Sequence, residues 1–148
     1  MRRTGLVLAT MALALLLASG AALAEAFGGD DGDNRLVGTD GRDRMAGGGG
    51  DDLVRGLGGP DVMRGGSRND FDANGQDTMY GGRGEDVVNG EGGEDHIYGG
   101  PGNDYISSIG DNAVDVVDCG GGTDSVDRSL VLGPDKADVF VDCEQSVS

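Results

Sequence analysis

"GGRGEDVVNGEGGEDHIYGGPGNDYIS", Gly81 to Ser107, divides into three blocks of nine: GGRGEDVVN, GEGGEDHIY and GGPGNDYIS. Each block opens on glycine, places aspartate sixth and places an aliphatic residue eighth. The frame continues upstream through DANGQDTMY (72–80), a seven-residue interruption (65–71), GLGGPDVMR (56–64), GGGGDDLVR (47–55), GTDGRDRMA (38–46) and GDDGDNRLV (29–37). Downstream, Ser108 and Ile109 precede GDNAVDVVD (110–118) and CGGGTDSVD (119–127), and five more residues precede GPDKADVFV (133–141). Position six reads Asn34, Asp43, Asp52, Asp61, Asp77, Asp86, Asp95, Asp104, Asp115, Asp124 and Asp138. Position eight reads Leu36, Met45, Val54, Met63, Met79, Val88, Ile97, Ile106, Val117, Val126 and Phe140. An acid and an apolar residue at fixed spacing identify a tandem structural repeat, because disorder does not hold its few apolar residues on a grid.

Composition sets the limits within which this repeat must fold. The 148 residues include 31 glycines, and 27 acids face 11 lysines and arginines. Arg2 and Arg3, the apolar run Leu6–Ser19 and the small residues Ala22–Ala24 follow the layout of a secretory signal peptide, so residues 1–24 are expected to be removed. The apolar run is too short to read as a membrane-spanning helix. Beyond residue 24, nine basic residues oppose all 27 acids, a net charge of −18. Such acidity excludes nucleic acid as a partner and disfavours anionic lipid, and no membrane insertion is expected after leader cleavage. The expected localisation is secreted, extracellular.

The blocks resemble the repeats-in-toxin (RTX, haemolysin-type) calcium-binding nonapeptide, GGxGxDxUx with U a large apolar residue. Residues 81–89 and 99–107 match every fixed position, and the other blocks miss one or more glycines. The resemblance implies an all-β fold, a parallel β-roll with two nonapeptides per 18-residue coil. Physically, xUx is long enough for a short strand with one inward side chain. The GGxGxD segment then reverses the chain through conformations that glycine adopts without steric penalty. Domain organisation follows: a leader at 1–24, repeats over 25–127 with a bulge at 65–71, and a C-terminal cap at 128–148.

Within such a roll the turns of every second block stack on one edge. The expected aspartate pairs along one edge are Asp43/Asp61, Asp61/Asp86, Asp86/Asp104 and Asp104/Asp124. Along the other they are Asn34/Asp52, Asp52/Asp77, Asp77/Asp95 and Asp95/Asp115. Stacked carboxylates repel, and glycine-rich turns aim carbonyl oxygens inward without donors. Several Ca2+ ions between coils would answer both, since calcium takes six to eight oxygens in flexible geometry. The candidate ligands are therefore Asp43, Asp52, Asp61, Asp77, Asp86, Asp95, Asp104, Asp115 and Asp124. Asn34 offers a neutral oxygen, so the first turn is expected to bind weakly or not at all. Ala113 and Lys136 replace glycine in the fourth position of the last turns, at Asp115 and Asp138, and these turns read as structural. One histidine and two cysteines give zinc no site.

The insertion contains DFDANG (70–75), the opening of an EF-hand loop, but position twelve is Gly81 where a glutamate belongs. It reads either as a solvated bulge, which we prefer, or as an enlarged turn in which Asp70 and Asp72 add ligands. Cys119 and Cys143 are the only cysteines and, in an exported chain, are expected to form a disulfide. His96 is expected to face solvent. Tyr80, Tyr98 and Tyr105 flank strands and shield the sheet faces, with a sugar-stacking role as the alternative.

No catalytic constellation is present: the chain contains no G-x-S-x-G, H-E-x-x-H or phosphate-binding loop. The expected function is a secreted calcium-binding protein that folds on binding, and not an enzyme. The alternative is a calcium-dependent adhesion or matrix module binding a cell surface or polysaccharide. A role as an accessory part of a secreted enzyme or toxin ranks below both.

Overall fold

Each aliphatic residue at position eight is flanked by residues that alternate outward, and this period of two produces short strands with a single buried side chain. A computed structural model describes residues 25–66, 75–108, 113–127, 138–143 and 145–147. The proposed leader, residues 1–24, lies outside the described residues, as do Asp70 and Asp72 of the insertion. The strands are β1 (Glu25–Gly28), β2 (Arg35–Val37), β3 (Asp43–Gly48), β4 (Leu53–Gly58), β5 (Val62–Gly66), β6 (Thr78–Arg83) and β7 (Val87–Asn89). They continue as β8 (His96–Pro101), β9 (Tyr105–Ser107), β10 (Val116–Gly121), β11 (Ser125–Asp127), β12 (Val139–Val141) and β13 (Gln145–Val147). The described residues contain no helix, so none of them forms a helix long and apolar enough to cross a membrane.

Successive strands alternate between two parallel sheets. Odd-numbered strands form one in the order β1-β3-β5-β7-β9-β11-β13, and even-numbered strands form the other in the order β12-β10-β8-β6-β4-β2. The fold is thus a parallel β-solenoid of about five turns, the β-roll that the repeat implied. Register follows the nonapeptide frame. Met45 pairs with Met63, Met63 with Val88, and Val88 with Ile106 in one sheet. Val54 pairs with Met79, Met79 with Ile97, and Ile97 with Val117 in the other.

The core is the column of position-eight side chains. Val54, Met63, Met79, Val88, Ile97, Ile106, Val117 and Val126 are fully buried, and Leu36 and Met45 nearly so. Each such burial contributes about 1.5–3 kcal/mol. Phe27 and Phe140 pack partly buried against opposite ends of the column. Phe27 was not foreseen, because β1 precedes the first full block; it pairs with Met45 and opens the odd-numbered sheet. At the other end, the described residues of the segment read as a cap, 138–143 and 145–147, add to both sheets. β12 adds to β10 and β13 adds to β11, both in parallel. Only three positions separate Val141 from Gln145, where the nine-residue frame puts six between one xUx strand and the next.

The bulge expected at 65–71 starts later than the frame suggested. Gly65 and Gly66 continue β5, and Gly66 pairs with Gly48. Gly75 stacks on Gly50, just as Gly84 stacks on Gly59 and Gly102 on Gly84, so Gly75 is the fourth residue of its turn. The insertion therefore falls between Gly66 and Gly75, within one turn, and the strands on either side keep register.

The outer faces carry longer side chains. Tyr80 and Tyr98 stack with ring centroids 4.7 Å apart and planes 6° from parallel, and the Arg55 guanidinium lies 5.6 Å from the Tyr80 centroid. The rings thus present faces to each other and to Arg55, the cation–π arrangement. Tyr80 and Tyr98 lie side by side on the outer face of the even-numbered sheet, each with one ring face against the other. The Tyr105 hydroxyl donates to Asp127 at 2.9 Å. His96 is exposed at position seven, level with Thr78 and Val116 on the neighbouring strands.

Candidate metal centre

Position six ends each turn, and its aspartates lie where one coil meets the next. Every expected pair forms. The backbone N–H of Asp43 donates to Asp61 Oδ1 at 2.8 Å, that of Asp61 to Asp86 at 2.8 Å, and those of Asp86 and Asp104 to Asp104 and Asp124 at 2.9 Å. Along the second edge, Asn34 donates to Asp52 at 2.8 Å, and Asp52, Asp77 and Asp95 donate to Asp77, Asp95 and Asp115 at 2.9 Å. Asp115 then donates to Asp138 at 3.2 Å. The carbonyls of the same residues accept from position seven of the next coil, as in Thr78 N–H to Asp52 O and Tyr105 N–H to Asp86 O, both 2.8 Å. Each ladder aspartate therefore links neighbouring coils by its main chain and by one carboxylate oxygen.

The other carboxylate oxygen distinguishes the interior turns. Asp43, Asp52, Asp61, Asp77, Asp86, Asp95, Asp104, Asp115 and Asp124 are all buried. In Asp52, Asp61, Asp86, Asp104 and Asp124 the Oδ2 atom is buried with no hydrogen-bond donor. A buried, ionised oxygen in that state is costly. A second oxygen points to the same place. A Cβ on Gly56 would stand 2.3 Å from Asp61 Oδ2 and 2.4 Å from the Gly81 carbonyl oxygen one coil on. A Cβ on Gly81 would stand 2.6 Å from Asp86 Oδ2 and 2.5 Å from the Gly99 carbonyl oxygen, and Gly47, Gly65 and Gly99 repeat the arrangement. Glycine at position one thus lets a carboxylate and a carbonyl from successive coils converge. A side chain at any of these glycines would force them apart.

The electrostatics agree with the geometry. Burial pushes the carboxyls of Asp61, Asp77 and Asp104 up to about 6, against backbone N–H donors that pull the other way. Neighbouring ladder carboxylates add to the rise, Asp86 and Asp43 acting on Asp61 and Asp86 and Asp124 on Asp104. Burial also raises Asp52 and Asp86. An ion pair the structure shows, Arg64–Glu91 at 3.7 Å, joins position nine of one block to position two of another and leaves the carboxylate row untouched.

This donor set of carboxylate and carbonyl oxygens suits a hard cation. Among the described residues no three histidine, cysteine, aspartate or glutamate side chains converge. A metal here must be completed by main-chain carbonyls, which suits calcium and fails zinc. Left-handed backbone, which glycine adopts freely, supports the carbonyl geometry. Position two is left-handed at Gly48, Gly82, Gly100 and Gly120, and Leu57 and Glu91 adopt it too, at φ 82° and 69°.

The end turns differ. Asn34, expected to bind weakly, turns its amide inward, where Nδ2 donates to the Gly32 carbonyl and to Asp30 Oδ1 at 3.2 Å. Asp43 has donors on both of its carboxylate oxygens, from Thr39. Asp138, read as structural, accepts the Ser108 hydroxyl at 3.1 Å. Cys119 and Cys143 form the expected disulfide, with Cα atoms 5.1 Å apart. Cys119 holds position one of its turn, and its carbonyl oxygen takes the place opposite Gly99 that glycine carbonyls take elsewhere. The bridge ties that turn to the short last turn. Thr39 and Ser108 were missed as functional side chains. Their signal is a hydroxyl where the repeat otherwise places glycine.

The family model for the RTX calcium-binding nonapeptide repeat matches in four copies, over residues 28–63 and 73–106. No curated protein and no solved structure matches the chain. The two matched segments flank the enlarged turn, and together they contain Asp43 to Asp104 of the ladder. With its repeat period, its two parallel sheets and its buried aspartate rows, the chain belongs to the RTX calcium-binding nonapeptide repeat family.

Proposed function

We propose that this protein is a secreted calcium-binding β-roll that completes its folding when Ca2+ enters between the coils. The ligands are the second carboxylate oxygens of Asp52, Asp61, Asp77, Asp86, Asp95, Asp104 and Asp124, together with main-chain carbonyls of the glycine-rich turns. Asp43 and Asp115 stand at the margins of the same rows. The observation that carries this reading is the buried Oδ2 atom without a donor, repeated in Asp52, Asp61, Asp86, Asp104 and Asp124. When bound, calcium supplies positive charge and accepts six to eight oxygen ligands in flexible geometry.

The chain's own groups do the rest. The Oδ1 hydrogen bonds fix each carboxylate against the preceding coil and aim Oδ2 at the next. Glycine at position one leaves Oδ2 and the facing carbonyl oxygen free to approach. Without a cation the rows are self-repelling, so a chain of net charge −18 past residue 24 stays open where calcium is scarce. In millimolar extracellular calcium, matched to sites of about 10⁻⁴–10⁻³ M affinity, the coils close. Far-UV circular dichroism tests this reading. At neutral pH the chain should give a coil spectrum in chelator and a β spectrum in millimolar calcium. A spectrum that chelator leaves unchanged refutes folding on binding.

A further inference from the structure

The Asp43 and Asp138 turns satisfy with protein donors the carboxylate oxygen that Asp52, Asp61, Asp86, Asp104 and Asp124 leave without one. Asp43 Oδ2 accepts the Thr39 backbone N–H at 2.6 Å and the Thr39 hydroxyl at 3.0 Å, and the hydroxyl also lies 3.2 Å from Oδ1. The Gly41 N–H donates to the Thr39 hydroxyl at 3.1 Å and fixes it. Thr39 holds position two, where Gly48, Leu57, Gly82, Glu91, Gly100 and Gly120 have left-handed backbone and Thr39 does not. A β-branched residue resists that conformation. The turn therefore takes another path, one that presents the Thr39 N–H to the carboxylate. Asn34 Nδ2 fills the adjoining first turn, and Ser108 Oγ reaches Asp138 Oδ2 at the opposite end.

We infer that Thr39 closes the Asp43 turn in place of a cation, so that Asp43 is not a calcium ligand. With Asn34 and the Ser108–Asp138 bond, it confines ion binding to the interior of the ladder. The inference rests on the calcium reading above. The Thr39 N–H and O–H together take up the Oδ2 lone pairs a cation would use, and their positive ends repel the cation. The first coil is then held without metal and offers a formed edge on which the calcium-dependent coils assemble.

Native mass spectrometry of the chain in saturating calcium counts the bound ions. Asp43→Asn should keep the wild-type count, Asp86→Asn should lose at least one ion, and Thr39→Gly, which restores the repeat's glycine, should gain one. Loss of an ion in Asp43→Asn, or no gain in Thr39→Gly, overturns the inference. If wild type and all variants bind no calcium, it is the calcium reading that fails. The cap is then judged by melting of the metal-free chain near pH 5, where Thr39→Val should melt several degrees below wild type. Equal melting temperatures would show that the Thr39 hydroxyl does not hold the turn.

Discussion

Removing calcium should reverse the pH dependence of stability. The carboxyls of Asp61, Asp77 and Asp104 are raised from 3.8 to about 6, chiefly by burial. A raised acid binds its proton more tightly in the folded chain than in the unfolded one. Its contribution to stability is fully present below about pH 4 and is lost as pH rises through about 6. Two pH units correspond to about 3 kcal/mol for each group. Solvent screening and mutual repulsion reduce the sum over three groups below three times that figure, yet it stays a sizeable part of the stability of a typical domain, about 5–15 kcal/mol. Asp52 and Asp86 shift in the same direction. The metal-free chain should therefore fold in mild acid and unfold toward neutrality. Calcium stabilises the ionised carboxylates and reverses this order, because protons then compete with the ion. The assay is urea unfolding followed by far-UV circular dichroism between about pH 4.5 and about pH 7.5, in metal-free buffer and in millimolar calcium. The metal-free midpoint should fall as pH rises and the calcium-bound midpoint should climb. A metal-free midpoint that is flat or rises with pH would refute the argument from buried carboxylates.

Four variants probe separate parts of the structure. Gly81→Ala places a methyl 2.5 Å from the Gly99 carbonyl oxygen and 2.6 Å from Asp86 Oδ2, so it should cost about 1–3 kcal/mol and weaken calcium binding. Gly121→Ala, with nothing within 4 Å, should change neither quantity in calorimetric titration or melting. Leu57 is exposed and left-handed at φ 82°, so Leu57→Gly should relieve strain and stabilise the calcium-bound roll by up to about 1 kcal/mol in urea titration. Replacing both Cys119 and Cys143 by serine releases a loop of sequence separation 24 and should cost about 3–4 kcal/mol by the same measurement.

The repeat frame carried most of the fold, and it did so for a steric reason. One inward side chain per nine residues fixes strand spacing, so the sequence alone places Met63, Met79, Ile97 and Ile106 in the core and Asp86 beside Asp104. The enlarged turn was placed too early, because the frame was kept by counting back from Asp77. The glycine pair at 65–66 belongs with the strand before it, and the demand for glycine at position one is the signal that shows this. Phe27 went unread because β1 has no turn of the repeat before it. The division of labour within each carboxylate was not legible at all. That Oδ1 accepts the preceding coil's N–H depends on the rise between coils, a three-dimensional quantity that a list of aspartates does not contain. Thr39 follows the same logic, since its effect lies in a backbone conformation it avoids.

The most direct test of the account is anomalous diffraction from crystals grown in saturating calcium. It predicts strong calcium peaks in the interior turns, each in contact with an aspartate Oδ2 and with main-chain carbonyl oxygens, at Asp52, Asp61, Asp86 and Asp104. Interior turns without such peaks, with the Oδ2 atoms turned to solvent or paired with arginine, would contradict it.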